Sequence, residues 1–348
     1  MSIKRKEILI PAILVAGAAL FGSRAAISGP ENNDMTLLEF SEQSAELAES
    51  VANGTVFLSV LRTSGRDSGQ GLGTGFVIDA IKGTVVTNAH VMEGGNSAVV
   101  QFSDGREVQG TLLGVDTKTD LAVLKIPAGA SKHQLSWGNS DELRPGHLVM
   151  AVGSPLGLEG TTSLGVVSAL GRQLEMVDDS YEDFLQFDAF IDRGSSGGPL
   201  VNMKGEVIGI NTAIGGGGPD PSWRGIGYAI PTAIAKRYVE DLANDGVVRR
   251  GWMGVTVKGL DAQGAKLRGL DHTYGVKVDS VVAGGPADKA GIKRDDVILS
   301  IDGIEVRNAN QVKARVAAVE PGESVKVKIL SRRAMRTIRM TVGEKANS

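Results

Sequence analysis

Apolar and polar positions alternate along most of this chain in short runs, each closed by glycine or by a small polar turn. Val56-Phe57-Leu58-Ser59-Val60, Gly75-Phe76-Val77-Ile78-Asp79 and Thr84-Val85-Val86-Thr87-Asn88 have strand length and a β-branched or aromatic bias. The same pattern predicts strands at Ala98 to Phe102, Leu121 to Ile126, Leu148 to Val152, Gly165 to Ala169, Leu200 to Asn202 and Val207 to Asn211. Ser103-Asp104-Gly105-Arg106 reads as a hairpin turn. From Pro231 to Asp245 the period changes: Ile234, Ala235, Tyr238, Val239 and Leu242 form one apolar stripe of a helix, ended by Gly246. So many short strands predict two small antiparallel β-barrels, with a further domain opening after Arg249-Arg250-Gly251. Residues 28–50 are polar and acidic and read as a linker or solvated helix. The glycines at 65, 69, 71 and 73 read as a loop; a strand follows where a dinucleotide fingerprint requires a helix.

The length, 348 residues, implies two or three domains. The net charge of −3 gives no sign of a nucleic-acid partner, and without cysteine there is no disulfide framework, thiolate chemistry or cysteine metal site. Lys4, Arg5 and Lys6 precede an apolar run from Ile8 to Gly22, so residues 1–27 read as a signal peptide or an N-terminal membrane anchor. The run is short for a span of about 20 residues. Its basic flank places that end in the cytoplasm and the remainder of the chain outside it.

The candidate chemistry centres on Gly194-Ser195-Ser196-Gly197-Gly198-Pro199-Leu200. A serine hydroxyl needs a base within hydrogen-bond reach, a group that orients the base, and donors for the oxyanion. His90, in Thr87-Asn88-Ala89-His90-Val91, and Asp120, in Thr119-Asp120-Leu121, lie upstream. Gly194-x-Ser196-x-Gly198 also fits a nucleophile elbow, but that fold runs Ser, acid, His, and the only histidine after Ser196 is His272 in another domain. The order His90, Asp120, Ser196 is that of chymotrypsin-type enzymes.

These segments, with Gly73-Thr74-Gly75-Phe76-Val77-Ile78, Ala151-Val152-Gly153-Ser154-Pro155, Gly165 to Arg172 and Ile226-Gly227-Tyr228-Ala229-Ile230-Pro231, resemble the Deg/HtrA family of PDZ-containing serine proteases over roughly residues 50 to 345. The resemblance implies a mainly β fold: a chymotrypsin-like double β-barrel over 51–246, then one α+β PDZ domain over 250–345. It implies an exported, periplasmic homotrimer that cleaves unfolded or damaged polypeptides without a metal or cofactor. The single PDZ domain is more similar to the membrane-anchored, stress-sensing branch, which makes inner-membrane association an expectation. In this reading His90, Asp120 and Ser196 are the triad, and the N–H groups of Gly194 and Ser196 form the oxyanion hole. Phe190 and Ile210-Asn211-Thr212-Ala213-Ile214 would wall the specificity pocket. No acidic residue is evident at its base, which favours a small or medium aliphatic residue over Arg or Lys beside the cut. Trp252-Met253-Gly254-Val255 resembles the family's carboxylate-binding loop, where peptide C-termini would bind by adding a strand to the sheet edge. By the same resemblance, Gly215 to Gly218 and the connector from Gly171 to Asp188 are loops that switch the site. The chain departs from the family at Ser195, where Asn is usual, and at Phe190, where a small residue is common. Two other readings stay open: a PDZ chaperone or scaffold with weak proteolysis, and a regulatory protease cutting one membrane-bound substrate.

Overall fold

The computed structural model describes residues 36–62, 69–153, 160–174, 181–192, 194–214 and 225–345. The N-terminal segment 1–27, Arg193 and the run Gly215 to Gly218 lie outside the described residues. The first element is α1 (Leu37–Gly54), which takes up much of the stretch expected as a linker over 28–50. The difference has a local cause. Thr36 and Glu39 form a capping box: Thr36 Oγ1 accepts from Glu39 N–H at 3.2 Å, and the Glu39 carboxylate accepts from Thr36 N–H at 2.7 Å. Leu47, Ala48 and Val51 then pack into the barrel core while Glu42, Glu46 and Glu49 stay in water.

The first barrel consists of β1 (Thr55–Arg62), β2 (Gly69–Asp79), β3 (Thr84–Thr87), β4 (Ser97–Phe102), β5 (Glu107–Asp116) and β6 (Leu121–Lys125). They close in the order β1-β2-β3-β6-β5-β4, around Val56, Leu58, Val60, Val85, Val100 and Leu124. Of the glycines read as a loop, Gly65 lies outside the described residues, and Gly69, Gly71 and Gly73 belong instead to β2, paired with β1 from Gly69↔Arg62 to Phe76↔Thr55. Two of them are small for a packing reason: a Cβ on Gly71 would meet the Arg62 side chain, and one on Gly73 would meet Val91.

The second barrel contains β7 (Ser136–Trp137), β8 (Leu148–Gly153), β9 (Thr161–Arg172), β10 (Phe184–Phe187), β11 (Pro199–Val201), β12 (Glu206–Ile214) and β13 (Gly227–Pro231). The order β11-β8-β9-β10-β13-β12 closes through β11–β12, and β7 adds in parallel to β12. α2 (Thr232–Asn244) buries the stripe Ile234, Ala235, Tyr238, Val239 and Leu242 against both barrels.

The last domain comprises β14 (Gly251–Trp252), β15 (Val255–Gly259), α3 (Ala262–Leu267), β16 (Val276–Val281), α4 (Pro286–Lys289), β17 (Val297–Ile301), β18 (Ile304–Glu305), α5 (Ala309–Ala317), β19 (Ser324–Ser331), β20 (Ala334–Thr341) and β21 (Gly343–Glu344). Its main sheet runs β15-β16-β17-β19-β20, so β15 and β20 are edges. Its core of Val276, Val278, Ile298, Val327 and Ile329 is separate from those of the barrels.

Two buried polar contacts fasten this domain to the barrels. The Arg250 guanidinium pairs with Asp116, which also accepts from Thr119 Oγ1, and it stacks 4.6 Å from the Tyr181 ring centroid. Both partners of the pair are almost fully enclosed, at 12% and 9% side-chain exposure. In the second contact, Gln311 Nε2 of α5 donates to Asp183 Oδ1 at 3.0 Å, and Arg315 lies 3.8 Å from Asp183 Oδ2. Burial pushes the Asp183 carboxyl up from 3.8 to about 6, against the pull of Arg315 and Gln311.

Asp116→Ala should therefore destabilise the protein by about 3–5 kcal/mol, because it leaves a buried guanidinium unpaired. Adding Arg250→Met should recover most of that loss in urea denaturation; equal loss in the single and double variants would contradict the account. Asp183 makes a separate prediction in pH. Its folded-state value is raised, so its ionisation penalty is absent below the unfolded value of 3.8, grows between about 4 and 6, and is complete above about 6. Relative to Asp183→Asn, the wild-type chain should lose about 3 kcal/mol of stability as the pH rises through that window. A pH-independent difference between the two chains would argue against it.

Candidate functional site

His90 opens a single 3-10 turn (His90–Met92) directly after β3, with Thr87 and Asn88 buried beneath it. Asp120 sits in the turn between β5 and β6 at φ 58°, the left-handed region that a short polar side chain tolerates better than most. Asn88 Nδ2 donates to the Asp120 carbonyl at 2.9 Å and fixes that turn. The Asp120 carboxylate then meets three donors. His90 N–H reaches Oδ1 at 3.0 Å, the imidazole Nδ1 lies 2.8 Å from Oδ2, and Thr212 Oγ1 donates to Oδ2. An ionised carboxylate only accepts, so Nδ1 carries the proton and Nε2 presents its lone pair. The imidazole is 44% exposed, so that lone pair is accessible.

Ser196 lies in the tight bend between Gly194 at φ 94° and Gly197 at φ 86°. The bend is clamped from both barrels. Thr74 Oγ1 donates to the Gly194 carbonyl at 2.6 Å, and Thr74 N–H donates to the Ser196 carbonyl at 2.9 Å. On the other side, Gly197 N–H donates to the Asn211 carbonyl at 2.8 Å and Asn211 N–H to the Gly198 carbonyl at 2.9 Å. Gly197 lies so close to Thr74 and Thr87 that a Cβ would strike the Thr74 carbonyl and Thr87 Oγ1. The structure thus joins His90 to Asp120 and sets the Ser196 bend against the Thr87-Asn88 segment that leads to His90. Among the described residues no hydrogen bond links Ser196 Oγ to His90, and the Ser196 N–H has no acceptor. The neighbouring Ser195 N–H donates to the Asp192 carbonyl at 2.9 Å.

A cleft of about 690 Å³ opens beside His90, walled by Met92, Leu112, Val115, Ala213, Ile230 and Ile234. Of the residues expected to wall a specificity pocket, Thr212 and Ala213 line this cleft. Ile210 is enclosed in the core, Asn211 is buried with Nδ2 on the Pro199 carbonyl at 3.3 Å, and Ile214 and Phe190 are exposed, Phe190 by 55%. The six do not form one wall, because successive side chains of a strand point to opposite faces. Thr212 escapes even that alternation. The pairing of β12 with β13 skips from Asn211↔Ala229 to Ala213↔Tyr228, so Thr212 sits on a bulge that turns its hydroxyl toward Asp120. No apolar pattern signals a bulge. Thr74, Asn88 and the Arg250–Asp116 pair are likewise site or junction residues that sequence reasoning passed over.

In the last domain a smaller cavity of about 210 Å³ lies between β15 and α5. Trp252, Met253, Gly254 and Val255 line it, faced by Val312 and Val316. The Met253 and Gly254 carbonyls are taken by the N–H groups of Ala287 and Val282, at 2.9 and 2.8 Å, which holds the loop open at its φ of 78° on Gly254. Since β15 pairs only with β16 among the described strands, its outer edge faces this cavity unpaired. Among the described residues no group of His, Asp and Glu is arranged to hold a metal ion.

The trypsin-like peptidase domain family matches residues 73–210 and the PDZ domain family residues 244–330, so the fold and its site define a trypsin-like peptidase domain joined to one PDZ domain. Relatives include a probable periplasmic serine endoprotease, DegP-like, of Chlamydia trachomatis, 45% identical over 261 residues that make up 74% of this chain and 51% of the relative. That of Rhizobium meliloti is 39% identical over 282 residues, 81% of this chain and 55% of the relative. Among solved structures, the HtrA-type protease AlgW with tripeptide is 36% identical, with a TM-score of 0.66 over 87% of this chain and 98% of that one. The serine endoprotease from Yersinia pestis is 33% identical, with a TM-score of 0.55 over 86% and 97%. The chain belongs to the HtrA-type family of PDZ-bearing proteases. It spans about half the length of the curated relatives it matches.

The hydrogen-bond pattern at Asp120 makes one prediction independent of turnover. Nitrogen NMR of the neutral imidazole should find His90 protonated at Nδ1, and Asp120→Asn, whose amide also offers a donor, should shift the population toward the Nε2–H tautomer. An Nε2–H tautomer in the unaltered chain would contradict the assignment.

Proposed function

We propose that the chain is an exported serine endopeptidase of protein quality control, cutting unfolded or damaged polypeptides with His90, Asp120 and Ser196. The observation that carries this reading is the carboxylate–imidazole pair of Asp120 and His90, 2.8 Å apart, beside a glycine-flanked serine bend. Ser196 Oγ attacks the scissile carbonyl, and His90 Nε2 takes its proton and later delivers it to the leaving amine. Asp120 holds the tautomer and stabilises the imidazolium that forms. Catalytic hydrogen bonds are often long or incomplete without substrate, so the Ser196–His90 bond forms in the substrate complex. The N–H groups of Gly194 and Ser196 receive the oxyanion, each such donor being worth about 3 kcal/mol in the transition state. The extended substrate lies in the apolar cleft beside His90, whose walls favour aliphatic side chains.

The protease domain occupies residues 51–246, with α1 packed on it, and the PDZ domain residues 250–345. Peptide C-termini pair with the free edge of β15 and place their last side chain in the cavity under Trp252 to Val255. The structures of AlgW with a tripeptide and a decapeptide support peptide recognition. The periplasmic relatives support export, and the basic-flanked apolar segment supports an inner-membrane anchor or a signal peptide. Among the described residues no helix is long and apolar enough to cross a membrane. The family resemblance supports a homotrimer that acts without a cofactor.

A fluorophosphonate should label the chain and an unfolded test protein should be cut, while Ser196→Ala stays folded and does neither. Asp120→Asn should lower kcat by about 10⁴. Turnover retained in Ser196→Ala would refute the assignment, and a chain that binds C-terminal peptides without labelling would be a PDZ scaffold.

A further inference from the structure

We propose that the β19–β20 hairpin is a docking surface for the anionic headgroups of a lipid bilayer. Six exposed cations lie on it: Lys326, Lys328 and Arg339 on one face and Arg332 and Arg333 at the tip, while Arg336, opposite Ile329 in the ladder, leaves from the other face. No acidic residue occurs from Ser324 to Gly343, in a chain whose net charge is −3. Among the described residues none of the six takes part in an ion pair.

Two local features run against stability and favour an anionic partner. Lys326 lies directly opposite Arg339 in the ladder, a like-charge pair that opposes strand pairing. At the tip, Ser331 pairs with Ala334, so Arg332 and Arg333 alone make the turn. Their φ values are 46° and 69°, as a type I′ turn requires. Glycine and asparagine adopt that conformation readily, and a long side chain adopts it at a cost. Charged edge strands do guard against aggregation, which would account for Arg336 and Arg339 on β20. It does not account for Lys326 and Lys328 on the interior strand β19, or for two arginines at the position best suited to Asn-Gly.

A bilayer suits this surface better than a soluble polyanion. Met335, 56% exposed, projects beside the tip arginines, so the patch combines charge with an apolar group that can enter the headgroup layer. The sequence also carries a second membrane signal, the apolar run Ile8 to Gly22 behind Lys4-Arg5-Lys6, and stable membrane residence generally needs two such signals.

The full chain would be mixed with vesicles of phosphatidylcholine alone and of phosphatidylcholine with phosphatidylglycerol, at low and high salt. Any contribution of the N-terminal segment is common to all variants. Binding should favour the anionic vesicles and weaken with salt. Each cation at such a surface raises affinity roughly fivefold, so Arg332→Asn with Arg333→Gly should lower anionic-vesicle affinity by about 25-fold. The same substitution supplies the residues a type I′ turn prefers, so its thermal midpoint should rise, which separates loss of binding from loss of fold. Lys326→Gln with Lys328→Gln should weaken binding to a similar degree. Fluorophosphonate labelling should be unchanged in every variant, so the outcome is independent of the protease reading. The proposal is overturned if the preference for anionic vesicles is the same in wild type and variants, or if only heparin or DNA binding falls.

Discussion

The carboxylate of Asp120 is where the two barrels meet chemically. The first barrel supplies the imidazole and backbone N–H of His90 and, through Asn88, the hydrogen bond that fixes the Asp120 turn. The second supplies the Thr212 hydroxyl. A charge half-withdrawn from water is costly unless its lone pairs are satisfied, and here three donors from the two barrels satisfy it. Displacing one barrel against the other would therefore break the bonds that set the His90 tautomer. The same seam carries the Ser196 bend, because Thr74 of the first barrel and Asn211 of the second hold its backbone from opposite sides. Position of the Ser196 bend, orientation of the His90 imidazole and docking of the barrels are one constraint.

The PDZ domain is fastened to this seam by groups in the same stretch of chain. Asp116, which takes Arg250 from the linker, also accepts from Thr119, and Thr119 immediately precedes Asp120. Tyr181 lines both the cleft beside His90 and the cavity under Trp252 to Val255. Its ring carries Arg250 on one contact and Lys313 of α5 on another, at 4.6 Å each. Buried pairs of this kind add little net stability compared with well-packed apolar groups, yet are severe when half removed. They specify how two domains sit rather than how tightly each is folded.

Much of the fold is legible in the sequence because its signals are local. The β-branched runs give the barrel strands, and the stripe from Ile234 to Leu242 gives α2 with its buried face. The order His90, Asp120, Ser196 excludes the elbow fold, since order is a property of the chain itself. What stays hidden depends on partners distant in sequence. The glycines of β2 look like a loop until Arg62 and Val91 are seen against them. The linker expected over 28–50 overlaps a helix whose Leu47 and Val51 face a core that sequence alone does not display. The residues expected along the specificity pocket are dispersed for a simpler reason: five consecutive strand residues cannot share a face, and the one that breaks the alternation, Thr212, does so through a bulge with no compositional mark.

Backbone strain marks the same division between structure and use. Among the described residues, five that are not glycine have positive φ: Asp120, Asp295, Asp302, Arg332 and Arg333. Three are aspartates, whose short side chains can bond to nearby N–H groups and offset a cost of about 1–2 kcal/mol per residue. Asp302 Oδ1 accepts from Lys326 N–H at 2.7 Å, and Asp120 is held by Asn88 and His90. The two arginines have no such compensation within the described residues. Where a sequence keeps a residue that its own turn disfavours, and the fold returns nothing for it, what offsets the cost has to come from outside the fold. For Asp120 the return is internal, in the imidazole it orients. For Arg332 and Arg333 the described residues show no such return, and their charge matches the anionic partner proposed for the hairpin.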